Sequence, residues 1–348
     1  MRYEYRITKY DPRWRNADGH YTKDEWTSFA EVGKSVGGQR LTMAEYLKIP
    51  AVSQGDLQNL LDRCPQAAWF NSYLNPNRPP DEADEDMDAG AIAHAILLEG
   101  SRAKICVIDP QEHPAEKTGN IPTGWQNKSI RAARDEARAN GLLPVLAPRM
   151  KEIDAMVTAA QIYIELLRTD QPEIHALFQP GGGDSELTMV WEDDGVPCRI
   201  RHDRISTNHS LIVDAKFTST SAHPDAFGAS QLVRMGYYIA AAFYRRGVMA
   251  LYDVLPDYVF LVIETEAPYL CSLVGLDPLA AEMGNEKIAR ALKEWRKHTH
   301  LNRWPGYPAR VAYPEIPAWE VARWQEQTGG EPGIPYEVSK LFRKEDFR

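Results

Sequence analysis

The chain has no surplus of positive charge and no long apolar run, and each absence narrows what it can be. Forty Lys and Arg stand against 49 Asp and Glu, a net charge of −9 over 348 residues. A net acidic chain has limited general electrostatic grip on nucleic acid, so the distribution of charge matters more than its sum and phosphate contact is expected from a local cluster of cations. No stretch approaches the ~20 consecutive apolar residues that cross a bilayer. Met1-Arg2-Tyr3-Glu4-Tyr5 has no signal-peptide pattern. The expectation is a soluble, cytoplasmic protein with no membrane partner. Cysteine is scarce: Cys64, Cys106, Cys198 and Cys271 are far apart and form no Cys-x-x-Cys pair, which argues against a zinc or iron–sulfur site and for reduced structural thiols. The triplet Gly181-Gly182-Gly183 is not followed by Gly-Lys-Ser/Thr and so is no phosphate loop.

What is present is enough apolar sequence for a large core, 43% hydrophobic residues against 26% charged, and one stretch that carries chemistry. Arg199 to Lys216 reads as two strands around a turn at Thr207-Asn208-His209. Side chains alternate along a strand, so Asp214 and Lys216 share one face while Leu211, Val213 and Ala215 take the other. The turn can bring the Asp203 carboxylate beside Asp214. Two carboxylates so placed can hold a hard divalent cation, and a nearby ammonium can orient water or stabilise developing charge. Charges on a strand edge also serve to deter pairing with other chains. Asp214, however, directly follows three apolar residues, where an unpaired buried carboxylate is costly, so a cationic partner is expected. Arg199, Arg201 and Arg204 crowd the same stretch and form the expected basic surface. Phe227 to Arg246 reads as one helix stopped by Gly247, with Gln231, Arg234 and Tyr238 on one face and Tyr237 and Tyr244 on another. This is either a cover helix with solvated polar groups or a source of phosphate and water contacts from Gln231 and Arg234.

The flanking chain supplies scaffold. Ser53 caps a helix with apolar spacing at Leu57, Leu60 and Leu61 and a stop at Pro65. Trp69, Phe70 and Tyr73 read as core rather than as a stacking platform for bases. A proline-rich, then acidic loop from Pro76 to Asp88 ends at Asp88 as N-cap of a helix Ala89 to Glu99, closed by Gly100. His94 is that helix's lone imidazole. Such a histidine is more often structural than a ligand, but Gly90, Ala91 and Ala95 would let another backbone approach closely, so His94 could reach a site on neighbouring strands. Asp109 to Gln126 reads as a long surface loop or flap, with helices at Ser129–Asn140 and Pro148–Thr169. Glu186–Glu192, a turn at Asp194-Gly195, Pro197–Ile205 and Ser210–Lys216 read as an antiparallel meander. Tyr258–Glu264 and Tyr269–Leu276 add strands, Pro278–His298 adds a helix, and the tail after Gln327 is expected to be poorly ordered.

Taken in order, Gly90-x-x-x-His94 with Leu98-Glu99, Glu186 to Trp191, Arg201-x-Asp203, Asp214-x-Lys216, Tyr237 to Tyr244, Glu264-x-Glu266-Ala267-Pro268-Tyr269 and Trp304-Pro305-Gly306-Tyr307 resemble the exodeoxyribonuclease VIII (RecE-type) nuclease domain of the PD-(D/E)xK superfamily. The resemblance covers about Ser53 to Trp319. It implies an α/β (α+β) fold with a restriction-endonuclease-like core, a central mixed sheet flanked by helices. It divides the chain into an N-terminal extension of unknown role (1–50), the nuclease domain (51–327) and a tail (328–348). It also implies Mg²⁺, or Mn²⁺ in its place, on His94, Asp203, Asp214 and the carbonyl of Ala215, with Lys216 as the catalytic lysine. Arg199, Arg201, Arg204, Gln231, Arg234 and Tyr237 would then bind substrate. The implied activity is an exonuclease acting on double-stranded DNA ends, 5′ to 3′, as a ring-shaped homo-oligomer that feeds a single-strand annealing recombinase in phage-type recombination. Endonucleolytic cutting, or a degenerate module that binds DNA ends or recombination proteins without cutting, are the alternatives. One departure stands out: Ala240 occupies a position where the family pattern carries glutamine.

Overall fold

The computed structural model describes residues 41–79, 85–116 and 118–328; most of the proposed extension and nearly all of the tail lie outside that range. The chain divides into two compact units after Pro305.

In the first unit, α1 (Met43–Leu47) and α2 (Gln54–Asp62) are both opened by capping boxes, Thr42 with Glu45 and Ser53 with Asp56. Helix α3 (Pro65–Asn71) starts on a proline at its first turn. Helix α4 runs from Glu85 to His94, beginning before the expected cap at Asp88, and continues as a π turn, Ala95–Glu99, to a left-handed Gly100. A small parallel pair, β1 (Ile105–Ile108) and β2 (Leu143–Leu146), flanks the loop and α5 (Lys128–Ala139). Then come α6 (Ala147–Asp170), α7 (Pro172–Phe178) and the hairpin of β3 (Gly183–Asp193) and β4 (Val196–Ser206). They lead into β5 (Leu211–Thr218), α8 (Pro224–Phe227), α9 (Tyr237–Tyr252), β6 (Asp257–Glu264), β7 (Cys271–Gly275) and α10 (Pro278–Leu301). The second unit carries α11 (Ala318–Thr328).

The five large strands form one mixed sheet in sequence order, antiparallel except for the parallel β5–β6 pair. Alternation sorts their side chains to two faces. Leu187, Met189, Trp191, Ile200, Ile212, Tyr258 and Phe260 pack against residues of α2, α3, α9 and α10. Leu211, Val213, Leu261 and Ile263 pack on the other face against residues of α4, α6 and α7. The result is the expected mixed sheet flanked by helices.

Two helix expectations need correction. The stretch from Phe227 to Arg246 is not one helix: α8 passes into a π turn at Gly228–Leu232, the chain turns through Gly236 at φ 68°, and only then does α9 begin. A Cβ at Gly236 would meet the Gln58 amide at 2.5 Å, and the left-handed φ itself favours glycine. Nor does Gly247 stop α9, which runs on to Tyr252. Gly247 is there because a Cβ would lie 2.8 Å from Ile200 Cδ1 and 3.0 Å from the Trp191 ring, so the missing side chain lets the helix settle onto the sheet. The segment before α2 is part of the fold: Ile49 and Ala51 are buried against Val190, and Val52 bridges β4 by accepting from Arg199 N and donating to the Pro197 carbonyl, both at 2.9 Å.

Candidate metal centre

The site lies where β4 loses its neighbour. β5 pairs with β6 along its whole length, but with β4 only at Arg204–Val213 and Ile205–Ile212. Farther back along β4, Val52 takes over the same edge at Cys198. Between these attachments, in the split beside Arg201 to Asp203, side chains do the work of strand pairing: Asp203 Oδ2 accepts from the backbone N–H of Ala215 at 2.9 Å.

On the other side of β4, the hairpin register sets a carboxylate opposite Asp203. The Asp194-Gly195 turn pairs Asp193 with Val196, so seven residues back and seven residues on put Glu186 across from Asp203. Glu186 has φ 58° between paired neighbours, a conformation that an L side chain adopts at a cost and that concentrates at functional sites. Helix α4 delivers His94 at its final residue, where regular helix gives way to the π turn, another local irregularity typical of functional positions. His94 Nδ1 lies 3.0 Å from Glu186 Oε1 and Nε2 lies 3.0 Å from Asp203 Oδ2. Arg201 Nε lies 2.5 Å from Glu186 Oε2.

A neutral imidazole donates from only one nitrogen, so both carboxylate contacts are satisfied together only by the imidazolium. Burial on its own would lower the His94 pKa, but Asp203 and Glu186 override it and raise it to about 10. Burial would raise Asp203, yet His94 and Lys216 hold it below the usual carboxylate range. The donor atoms of His94, Glu186 and Asp203 lie within 4.8 Å of one another. This nitrogen-and-oxygen set suits a divalent cation such as Mg²⁺ or Mn²⁺, whose charge would take the place of the His94 proton.

Asp214 and Lys216 face the same split from β5. Lys216 Nζ donates to Asp214 Oδ1 at 2.7 Å and sits 4.9 Å from the Tyr237 ring centroid. Asp214 Oδ2 accepts from the Tyr258 hydroxyl at 3.0 Å. Burial, reinforced by the Asp203 charge and only partly offset by Lys216, raises Asp214 to about 7. Burial would lower Lys216, but Asp214 and Asp203 raise it.

The sequence-derived set is therefore only partly brought together. His94 meets Asp203, which in turn meets the Ala215 N–H and Asp214, and Lys216 meets Asp214; among the described residues the donors within reach of one cation are those of His94, Glu186 and Asp203, with Asp214 beside that cluster rather than in it. The basic surface expected from Arg199, Arg201 and Arg204 does not form, because these guanidiniums are spent inside the protein. Arg199 is 1% exposed and donates to the Tyr46 and Ile49 carbonyls at 2.5 and 3.0 Å. Arg204 donates to the Leu177 carbonyl and Ser185 Oγ, and Arg201 holds Glu186 in place. Arg234 is exposed, in the helical residues just before the Met235-Gly236 turn that precedes α9. Gln231, in the π turn, donates to Thr220 Oγ1 at 2.9 Å in the loop after β5, and so does not share a helix face with Tyr238. Ala240 is buried in α9. Glu186, which sequence reasoning did not single out as a ligand, could have been found by counting back from the Asp194-Gly195 turn. Trp69 stacks on Trp304 at 4.8 Å as core, whereas Phe70 is 53% exposed.

Comparison with known proteins fits this geometry. The model of a family described as a PDDEXK-like domain of unknown function (DUF3799) matches residues 57–315. The uncharacterized protein ZK652.8 of Caenorhabditis elegans is 30% identical over 95 residues, 26% of this chain. The chain spans about half of that relative, 54% of its length. The crystal structure of a "Putative exonuclease" from Eubacterium rectale matches 84% of this chain and 100% of its own, at TM-score 0.52 and 14% identity, a likeness of fold alone. Among the described residues, no helix is long and apolar enough to cross a membrane.

Proposed function

Because the chain belongs to the PDDEXK-like family whose model spans residues 57–315, we propose that it is a metal-dependent DNA nuclease, and more narrowly an exonuclease acting on duplex ends. The observation that carries this reading is the gathering of carboxylate in the split: Glu186 and Asp203 flank His94, and Asp214 stands on Lys216. His94, Asp203 and Asp214 would hold Mg²⁺ or Mn²⁺. Glu186 would add a donor beside His94, and the Ala215 carbonyl, which leaves an extended strand on the same side as its N–H, another from the split. A cation there would polarise a phosphoryl oxygen and acidify an attacking water.

The chain's own groups account for the remainder. Lys216, held between Asp214 and the Tyr237 ring, is placed to orient that water and to stabilise charge developing on the phosphoryl group. Exposed Arg234 would take a phosphate, and Gln231, which tethers Thr220 in the loop after β5, would support that contact.

The family resemblance in the sequence supports 5′ to 3′ polarity, a cytoplasmic role in phage-type recombination and transfer of the product strand to a single-strand annealing recombinase. It also supports a ring-shaped homo-oligomer. A net charge of −9 gives a physical motive for a ring, since enclosure keeps DNA bound where attraction is weak. The test is digestion of end-labelled linear and covalently closed circular duplex with and without Mg²⁺. Linear DNA is expected to shorten from its ends only with Mg²⁺, while closed circles survive; equal cutting of both forms would promote the endonuclease alternative. Lys216→Ala should lose about 10²- to 10⁴-fold in turnover yet retain Mn²⁺ and DNA binding. A Lys216→Ala protein with unchanged turnover would overturn the role given to this lysine.

A further inference from the structure

Asp214 is 7% exposed, and each of its carboxylate oxygens already has one donor within the protein, Lys216 on Oδ1 and Tyr258 on Oδ2. Lys216 is accounted for by the proposed chemistry, whereas Tyr258 is not. In the parallel β5–β6 ladder Tyr258 is opposite Ile212, two residues before Asp214 on the same face. Two residues of strand rise about 6.6 Å, which is close to the reach of a tyrosine from Cα to hydroxyl. That offset is within the side chain's reach, and the hydroxyl donates to Asp214 Oδ2 at 3.0 Å.

The packing does not itself require a hydroxyl. Tyr258 is 4% exposed, tilted against Phe260 at 5.2 Å and perpendicular to Tyr244 at 6.2 Å, and phenylalanines fill neighbouring positions of the same core at 227, 243 and 260. A buried hydroxyl is costly unless bonded, and here its partner is the carboxylate of a proposed ligand. A carboxylate offers about four lone-pair sites. With one taken by Lys216 and one by Tyr258, the remaining sites are directed by the two fixed donors.

We propose that Tyr258 is a positioning residue for Asp214. Its hydroxyl fixes the plane of the carboxylate so that the free lone pairs meet a divalent cation shared with His94 and Asp203. This rests on the metal-centre reading above and adds a residue that touches neither cation nor DNA.

The test is Mn²⁺ binding without DNA, followed by electron paramagnetic resonance of free Mn²⁺, together with steady-state kinetics. Tyr258→Phe should weaken Mn²⁺ binding by about tenfold, as loss of an outer partner of a metal ligand does, and lower kcat while leaving the KM for duplex DNA unchanged. In an Asp214→Asn background the same substitution should add less than about twofold, the non-additivity expected of directly coupled residues. Tyr244→Phe, in the same aromatic cluster, should keep wild-type affinity. Replacing Tyr258 with p-aminophenylalanine restores a donor and should recover binding, which also covers the case in which the phenylalanine variant folds poorly. Wild-type affinity in Tyr258→Phe, an equal loss in both backgrounds, an equal loss in Tyr244→Phe, or failure of the amino analogue would each overturn the proposal. If the wild type binds Mn²⁺ but cuts no DNA, the nuclease reading fails while the role of Tyr258 stands. If it binds no Mn²⁺, the metal reading fails and takes this role with it.

Discussion

Two sets of ionised side chains gather at the two ends of the β3–β4 hairpin, and their charges are matched differently. Near the turn, Arg246 of α9 meets Asp193 with two parallel bonds of 2.7 Å, one cation for one anion. At the other end, Glu186, Asp203 and Asp214 face Arg201, Lys216 and His94, and with all three carboxylates ionised the charges balance only if the imidazole keeps a proton. The first pair is complete within the chain. The second is complete only with a borrowed positive charge, and that difference distinguishes a brace from a candidate metal centre better than burial does, since both are largely out of solvent.

The comparison breaks most sharply if Asp203 is neutralised. Asp203 touches His94, holds the Ala215 N–H and faces Asp214, so Asp203→Asn should lower metal-dependent cleavage by about 10³-fold or more and weaken Mn²⁺ binding, with the fold intact. The expectation follows from removing a charge that the cation needs. Binding and cleavage at wild-type levels would show that the excess carboxylate is not there for a metal.

A smaller effect sharpens the same contrast through pH. The His94 proton, held up to a pKa of about 10, and the Asp214 proton, held up to about 7, must leave before these groups can ligate. The logarithm of Mg²⁺ affinity should therefore rise with pH with a slope of about two below pH 7 and about one above it. In the metal-free protein the sign is opposite. A histidine whose folded pKa is raised contributes stability that is fully present below its ordinary value near 6.5 and lost as pH rises toward 10. Thermal unfolding between pH 6 and 9, with and without Mg²⁺, reads both trends; a pH-independent affinity would remove His94 and Asp214 from the ligand set.

How much of this was legible beforehand depends on the range of the interaction. The strands, the Asp194-Gly195 turn and the placement of Asp214 and Lys216 on one face follow from period-two alternation and turn chemistry, both local. The convergence of His94 on Asp203 spans more than a hundred residues and was implied only by the ordered resemblance. The arginines misled because sequence shows charge but not burial. Arg199 reads as a phosphate contact until Tyr46 and Ile49, about 150 residues away, turn their carbonyls toward it. Gly247 and Gly236 illustrate the same limit: one looks like a helix stop and is a contact with Trp191, while the other interrupts what reads as a continuous helix.

At the brace, the expected effect falls on stability alone. Arg246→Ala leaves Asp193 half-buried without its partner. The cost should be about 2 kcal/mol, between the values for buried and exposed pairs because Arg246 retains 30% of its side-chain exposure. Mn²⁺ affinity should not change. Chemical denaturation and Mn²⁺ titration of the same variant measure the two quantities, and a loss of metal binding would show that the two ends of the hairpin are coupled rather than separate.

The smallest expected effect concerns the cation that the fold leaves outside. With Arg199, Arg201 and Arg204 committed to internal partners, Arg234 is the member of the expected basic set that is exposed, in the short helical stretch between the π turn and the Met235-Gly236 turn. If it takes one phosphate, Arg234→Ala should weaken duplex binding only a few-fold at moderate salt, because a single exposed cation in a chain of net charge −9 is one contact among few. The diagnostic quantity is the salt dependence. Each phosphate contact releases condensed counterions, so the slope of log affinity against log salt should fall in magnitude by about 0.9 on duplex DNA. Turnover at saturating DNA should stay at the wild-type level, since the role proposed for Arg234 is to hold a phosphate and not to act on the reacting group. A variant with an unchanged slope but reduced turnover would move Arg234 from substrate grip to the chemical step, and a variant unchanged in both would place the DNA on another face of the sheet.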